Sequence, residues 1–153
     1  MSDESAKPPL KTAKIPDEYA LNTRTSPLTT PWAPLYRCSN ERSVYLGVVL
    51  RDIHCNSRGL VHGGFIAALA DNTMGYTAGK AMQADGRTVN GLVTINLSVD
   101  YVGSPKLGQW MSWEPELVKA TRSIAFVEAH VKADGNIIAR ANATFKIIEE
   151  SRR

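Results

Sequence analysis

RGLVHGGFIAALADNTMGYTAGKAM, residues 58 to 82, decides the fold. Phe65, Ile66, Leu69, Ala70, Thr73, Met74 and Thr77 recur at helical spacing, so the stretch reads as one long apolar helix. Two features are unusual for a core helix. It opens on His62-Gly63-Gly64, and it holds an acid, Asp71, inside the apolar run. The small residues Ala67, Ala68, Gly75, Ala78 and Gly79 predict close approach by another backbone. Gly75 and Gly79 each weaken a helix by roughly 1 kcal/mol relative to Ala, which tight packing would offset.

Outward from the helix the chain reads as strand. Upstream, Leu35 to Cys38 and Val44 to Leu50 form a pair joined by the turn Ser39-Asn40-Glu41-Arg42. Downstream, Val93 to Tyr101 alternates apolar and polar without a break, a half-buried strand with its odd positions inward. Trp110 to Val118 and Ser123 to Ala133 follow, and Asp134-Gly135-Asn136 is a hairpin signal leading into Ile137 to Ile148. Within Ser123 to Ala133, Ala125, Val127, Ala129 and Val131 share one face, with Glu128, His130 and Lys132 on the other.

These elements make a strand pair, one helix and four strands in meander order. That is an α+β chain with a long helix packed on an antiparallel sheet of about five to six strands. Residues 1–34 read as a partly mobile N-terminal extension rich in proline, with a short helical piece near Asp17 to Leu21. Residues 35–150 read as the domain. Such a sheet leaves an open edge, and an open edge invites a second copy, so at least a dimer is expected.

Composition excludes several functions. The chain has 153 residues, 43% hydrophobic and 22% charged, which are values of one globular domain. The net charge of +3 is scattered and only 7% of residues are aromatic, which argues against a nucleic-acid footprint. Cys38 and Cys55 have no metal-ligand spacing, so no metal is expected. The start MSDESAKPPLK lacks the apolar core of a signal peptide, and no apolar run approaches the ~20 residues of a membrane span. A cytoplasmic protein, with no membrane partner, is the expectation.

The opening stretch carries the chemistry. A helix start has free N–H groups and a positive dipole, and glycine lets a ligand approach it. His62-Gly63-Gly64 is therefore either a tight turn or a cradle for a phosphate or a developing oxyanion. No Lys-Ser/Thr follows, so it is not a P-loop. Asp71 either lies on an exposed flank or serves as a carboxylate that activates water or attacks directly. Gly63 and Asp71 are eight residues apart, roughly 12 Å along the axis, too far for one small reacting group to touch both in one chain. Two antiparallel copies of the helix would bring Gly63 of one beside Asp71 of the other. Asn56 is either a turn residue or a group that orients a water or the carboxylate. Gly-x-Ser-x-Gly is absent, and adjacent His54 and Cys55 make a poor dyad.

At this point the residues resemble a known family. Asn56-Ser57-Arg58-Gly59-Leu60-Val61-His62-Gly63-Gly64, with Leu69-Ala70-Asp71 after it, is similar to the hotdog-fold acyl-CoA thioesterases, and most to phenylacetate-pathway thioesterases. The similarity runs on through Thr94 to Tyr101 and Pro105-Lys106-Leu107-Gly108. It implies that the Gly63 N–H polarises the thioester carbonyl and that Asp71, from the opposite subunit, is the catalytic carboxylate. It also implies that Asn56 places the attacking water, that His62 supports the loop and contacts the thioester, and that Thr94 supplies an assisting hydroxyl. Gly64, Arg122 and Ser123 are the candidates for substrate and coenzyme A contacts. The activity implied is hydrolysis of an acyl-CoA to free CoA and a carboxylic acid, without metal or redox cofactor, in a homodimer paired into a homotetramer. Two alternatives stay open: a non-catalytic acyl-CoA binding or regulatory protein, and a hydratase or dehydratase on the same fold.

Overall fold

In the computed structural model, which describes residues 11–148, a single long helix lies across one face of an antiparallel sheet. In chain order the elements are β1 (Ala20–Leu21), β2 (Tyr36–Ser39), β3 (Val44–Val49), α1 (Gly63–Ala84), β4 (Gly91–Tyr101), β5 (Trp110–Ala120), β6 (Ile124–Ala133) and β7 (Asn136–Ile148). Across the sheet they run β1-β2-β3-β5-β6-β7-β4. The α+β architecture is the expected one, with the two-residue β1 as a seventh strand.

The meander holds only for β5, β6 and β7. Strand β4 lies not beside β5 but at the far edge, paired with β7. A hairpin signal reports only strands joined by a tight turn, as in Asp134-Gly135, whose φ angles of 47° and 82° close the β6–β7 hairpin. The chain from Val102 to Gln109 also turns, at Lys106 to Gln109 where Gly108 takes φ 85°, but that turn does not pair the strands it joins. It leads from the edge back to β5, whose other neighbour is β3.

Helix α1 starts and stops where its backbone groups find partners. His62 precedes it in an extended conformation, and its Nδ1 accepts the Gly64 N–H at 2.8 Å. At the far end Gly86 takes φ 81°, Arg87 N–H reaches the Met82 carbonyl and Gly86 N–H reaches that of Gln83. This glycine-capped stop satisfies carbonyls that the last turn leaves open. The expected apolar face is buried, together with Ala78, Ala81 and Met82. Trp113 Nε1 donates to the Ile66 carbonyl, and the Thr77 hydroxyl bridges the N–H and carbonyl of Val44, tying α1 to β5 and β3. Ala125, Val127, Ala129 and Val131 are buried beneath the helix, as their alternation predicts.

Three local expectations are corrected for the single chain. First, no backbone of the described residues approaches Gly75 or Gly79. A Cβ at Gly75 would only touch the Phe145 ring at 3.8 Å, and one at Gly79 would meet nothing within 4 Å. Second, β4 does not keep its odd positions inward throughout. Its register with β7 shifts between Thr94 and Asn96. Leu97 and Val99 pack on the core after the shift, but Leu92 packs there before it, and Val93 and Ile95 are left 53% and 57% exposed. An extra residue in a strand flips the faces that follow it, and the apolar alternation gives no sign of it.

Third, Asp17 to Leu21 is a turn leading into β1, and the helical piece of this segment is a single 3-10 turn at Thr30–Trp32. From Ala13 onward the segment is bonded to the fold. Ala13 N–H donates to Gly108, Asn22 N–H to Leu35, and Tyr19 packs edge-on against Trp110. Arg51 holds the Trp32 and Ala33 carbonyls. Residues 1–10 and 149–153, which include part of the expected mobile extension, lie outside the described residues.

Candidate active site

The start of α1 is prepared as a donor. Gly64 N–H is taken by His62, and the N–H groups of Phe65 and Ile66 both reach back to the His62 carbonyl. The Gly63 N–H has no acceptor among the described residues. It is thus one free N–H at the positive end of a 22-residue helix. The opposite side of the same residue is pinned: Tyr101, from the end of β4, donates its hydroxyl to the Gly63 carbonyl at 2.6 Å. A Cβ at Gly63 would sit 3.1 Å from the Tyr101 ring, so a side chain there would have to push the ring aside by a few tenths of an ångström. Partial burial raises the Tyr101 hydroxyl pKa, which keeps it a donor.

Asp71 lies two turns further on, half-buried. Thr94 donates its hydroxyl to Asp71 Oδ1 at 2.7 Å. The β4 bulge makes this contact, because it turns Thr94 toward the helix rather than away from it. Asp71 Oδ2 accepts from no group among the described residues. Both residues line a cleft of about 510 Å³ between α1 and the start of β4. Within the described chain Gly63 does not line that cleft, as the eight-residue separation requires.

Asn56 organises the loop before the helix. Its Oδ1 accepts the N–H groups of Arg58 and Leu60, at 2.9 and 3.1 Å, which fixes the amide's orientation and leaves its NH2 without an acceptor among the described residues. The loop closes through the Cys55–Val61 bridge and the His62 N–H to His54 carbonyl bond. Arg122 and Ser123 sit in the β5–β6 turn with exposed side chains, and neither lines the Asp71 cleft. The structure thus brings Asp71 and Thr94 together, puts Gly63, Gly64, His62 and Asn56 around the helix start, and leaves Arg122 and Ser123 apart from both.

Sequence reasoning missed Tyr101 and His54. His54 is 1% exposed, stacked on Phe65 with ring centroids 4.5 Å apart, and its Nδ1 accepts the Arg51 N–H. Burial lowers its pKa from 6.5 to about 4; the Trp32 carbonyl opposes the shift and the Arg51 charge adds to it. Its Nε2 makes no hydrogen bond among the described residues. The signal was present in the adjacent Trp32, Arg51 and Phe65, but a 3-10 turn at Asp52–His54 hid it from strand-based reasoning.

Comparison with known proteins bears on the family and the fold. A Pseudomonas aeruginosa protein whose name marks it as a suspected esterase is 29% identical over 135 residues, spanning 87% of this chain and 97% of its own. Two solved structures share the fold. A Streptococcus mutans protein solved bound to acetyl CoA superposes with a TM-score of 0.66 at 24% identity, over 76% of this chain and 90% of its own. An Asn-to-Asp mutant of the phenylacetic acid degradation protein PaaI from Thermus thermophilus superposes with a TM-score of 0.67 at 21% identity, over 80% of this chain and all of its own. The pattern of the thioesterase superfamily matches residues 58–139, from the Asn56 loop through α1, the bulged strand and into β7. That match covers more than half of the chain, which belongs to the thioesterase superfamily and has its hotdog fold.

Proposed function

We propose that the protein hydrolyses acyl-CoA thioesters, with Asp71 as the carboxylate that activates water. The observation carrying this reading is the Asp71–Thr94 hydrogen bond at 2.7 Å on the wall of a cleft, with Asp71 Oδ2 left open to a water. Water loses a proton to Asp71 as its oxygen attacks the thioester carbonyl carbon. The developing oxyanion is held by the Gly63 N–H. The C–S bond then breaks, the CoA thiolate takes a proton, and the free acid and CoA leave. Thr94 fixes the carboxylate, Asn56 offers its NH2 to water or substrate, and His62 holds the helix start.

A second copy completes the site in this reading. Strand β4 is a long open edge with Val93 and Ile95 exposed beside its unpaired backbone groups, which suits antiparallel pairing with itself. Pairing would set Gly63 of one subunit beside Asp71 of the partner subunit, across the ~12 Å that separates them in one helix. A pair of such dimers is the proposed homotetramer. Coenzyme A contacts at Arg122, Ser123 and Gly64, and a cytoplasmic location, belong to the same proposal.

The test is free-thiol release from a panel of acyl-CoAs. Asp71→Asn is expected to lose ~100-fold or more of kcat, with little change in Tm. Undiminished turnover would remove Asp71 from this role. Tight binding of CoA esters without turnover in the unaltered protein would favour a binding module instead. Co-expression of Asp71→Asn with inactive Gly63→Val chains should restore part of the activity if sites are shared between subunits. A mixture as dead as its components would place each site within one chain.

A further inference from the structure

The Asp71 cleft has a second end, and its charge is opposite. Asp71, Gly75 and Gly79 are four residues apart in sequence, so they stack in one row along α1; Asn72, Tyr76 and Lys80 form the row beside it. All six line the cleft. The two glycines leave the first row without side chains beyond the acid, and the space a Cβ would take at Gly79 is empty to 4 Å. This accounts for residues that weaken a helix interior by roughly 1 kcal/mol each and that no backbone of the described chain approaches. They keep open a groove running from Asp71 toward the C-terminal half of α1.

Cations close that groove. Arg24, from the N-terminal segment, places its guanidinium carbon 4.7 Å from the centroid of the Tyr76 ring. Arg37, on the helix-facing side of β2 opposite buried Leu46, places its own 5.9 Å from the same ring. Lys80 lies one helical turn beyond Tyr76. All three line the cleft, and among the described residues Asp71 is the sole acid that lines it. No carboxylate among the described residues pairs with any of the three, although Arg42, Lys132 and Arg140 elsewhere each have one. Two guanidinium groups drawn to one ring repel each other, and an anion between them relieves that repulsion while using their planar donor forks. Tyr76 stands ~7.5 Å and Lys80 ~13.5 Å along the axis from Asp71.

Resting on the thioesterase reading, we infer that Arg24, Arg37 and Lys80 form an anion-binding end of the Asp71 groove that selects acyl groups with a carboxylate at their far end. The acyl chain runs along Gly75 and Gly79, the thioester stays at Asp71, and the distal carboxylate meets the two arginines and the lysine. Arg24 and Arg37 lie before the stretch that matches the superfamily, and Lys80 lies within it.

The test compares adipyl-CoA with hexanoyl-CoA, which differ at the far end by a carboxylate. The kcat/KM ratio of the acid over the neutral substrate should exceed one and fall about tenfold in Lys80→Gln and in Arg24→Gln/Arg37→Gln. Gly79→Leu should lower turnover of both substrates relative to acetyl-CoA. If both substrates weaken together and the loss disappears with N-acetylcysteamine thioesters, the cations hold the CoA phosphates and the inference is overturned. A wild-type ratio near one, unmoved by the substitutions, also overturns it. Calorimetry with Asp71→Asn keeps the two readings separate. Tighter binding of adipyl-CoA, lost in the added Lys80→Gln, supports the anion end even if no thioester is hydrolysed, and equal binding overturns it.

Discussion

Strand β4 meets helix α1 at two places, and the two meetings differ in kind. At its end Tyr101 grips the Gly63 carbonyl, on the regular part of the strand where odd positions face inward. Near its start Thr94 grips Asp71, on the far side of the bulge where even positions face inward. Thr94 and Tyr101 are seven residues apart, an odd number that puts them on opposite faces of an uninterrupted strand. The single extra residue lets one strand serve both the donor at the helix start and the acid two turns later. One contact is a product of plain alternation, and the other exists only because alternation is broken.

Removing the bulge is one way to probe this comparison. Thr94 pairs with Phe145 and Asn96 with Thr144, so deletion of Ile95 takes out the unpaired residue and should leave both Thr94 and Tyr101 facing the helix. Activity should stay within about tenfold of the unaltered protein, and a ~100-fold loss would mean that the shape of the bulge itself is needed. Because a deletion can unfold the chain, Thr94→Val keeps the test readable. It removes the hydroxyl but not the shape, and should lower kcat about tenfold at nearly unchanged Tm. Equal activity in Thr94→Val and the unaltered protein would mean that Asp71 needs no holding.

Acid should separate the two ends by a different route. His54 lies under the loop that carries the helix start, and its folded pKa of about 4 is below its ordinary 6.5. An opened Gly63 end would bind the proton more readily than the closed one. Its stability is therefore complete above pH 6.5 and drains as pH falls through 6.5 toward 4, by up to about 3 kcal/mol. Amide exchange at Gly64 and Phe65, corrected for intrinsic rates, should quicken over that window while amides near Asp71 change less. His54→Asn, which does not titrate, should flatten the pH dependence. A profile unchanged in that variant would exclude His54 as its source.

How far the sequence reveals this site follows the same division. The apolar face of α1, the alternation of β6 and the Asp134-Gly135 hairpin were legible because each repeats a fixed period or a fixed turn. The bulge was not, because Val93 and Ile95 are as apolar as residues that face a core, yet both are exposed on the edge strand. Thr94 was named by family resemblance alone, against the alternation that would have turned it outward. The place of β4 beside β7 was hidden because the turn at Pro105 to Gly108 has the residues of a hairpin but joins strands that do not pair. Arg24, Arg37 and Tyr76 are far apart in sequence and meet only through the wrap of the N-terminal segment.

The smallest expected effect concerns His62, which belongs wholly to the Gly63 end. Its Nδ1 accepts the Gly64 N–H, a cap whose loss in His62→Ala should cost about 1 kcal/mol, or roughly 3 °C in Tm. Asn at this position also caps a helix well, so His62→Asn should recover the stability. Activity is then the discriminating readout. If kcat returns with Tm, the imidazole acts only by holding the helix start so that the Gly63 N–H stays in place. If Tm returns and kcat does not, the imidazole itself reaches the thioester, and the Gly63 end contributes two groups to the reaction rather than one.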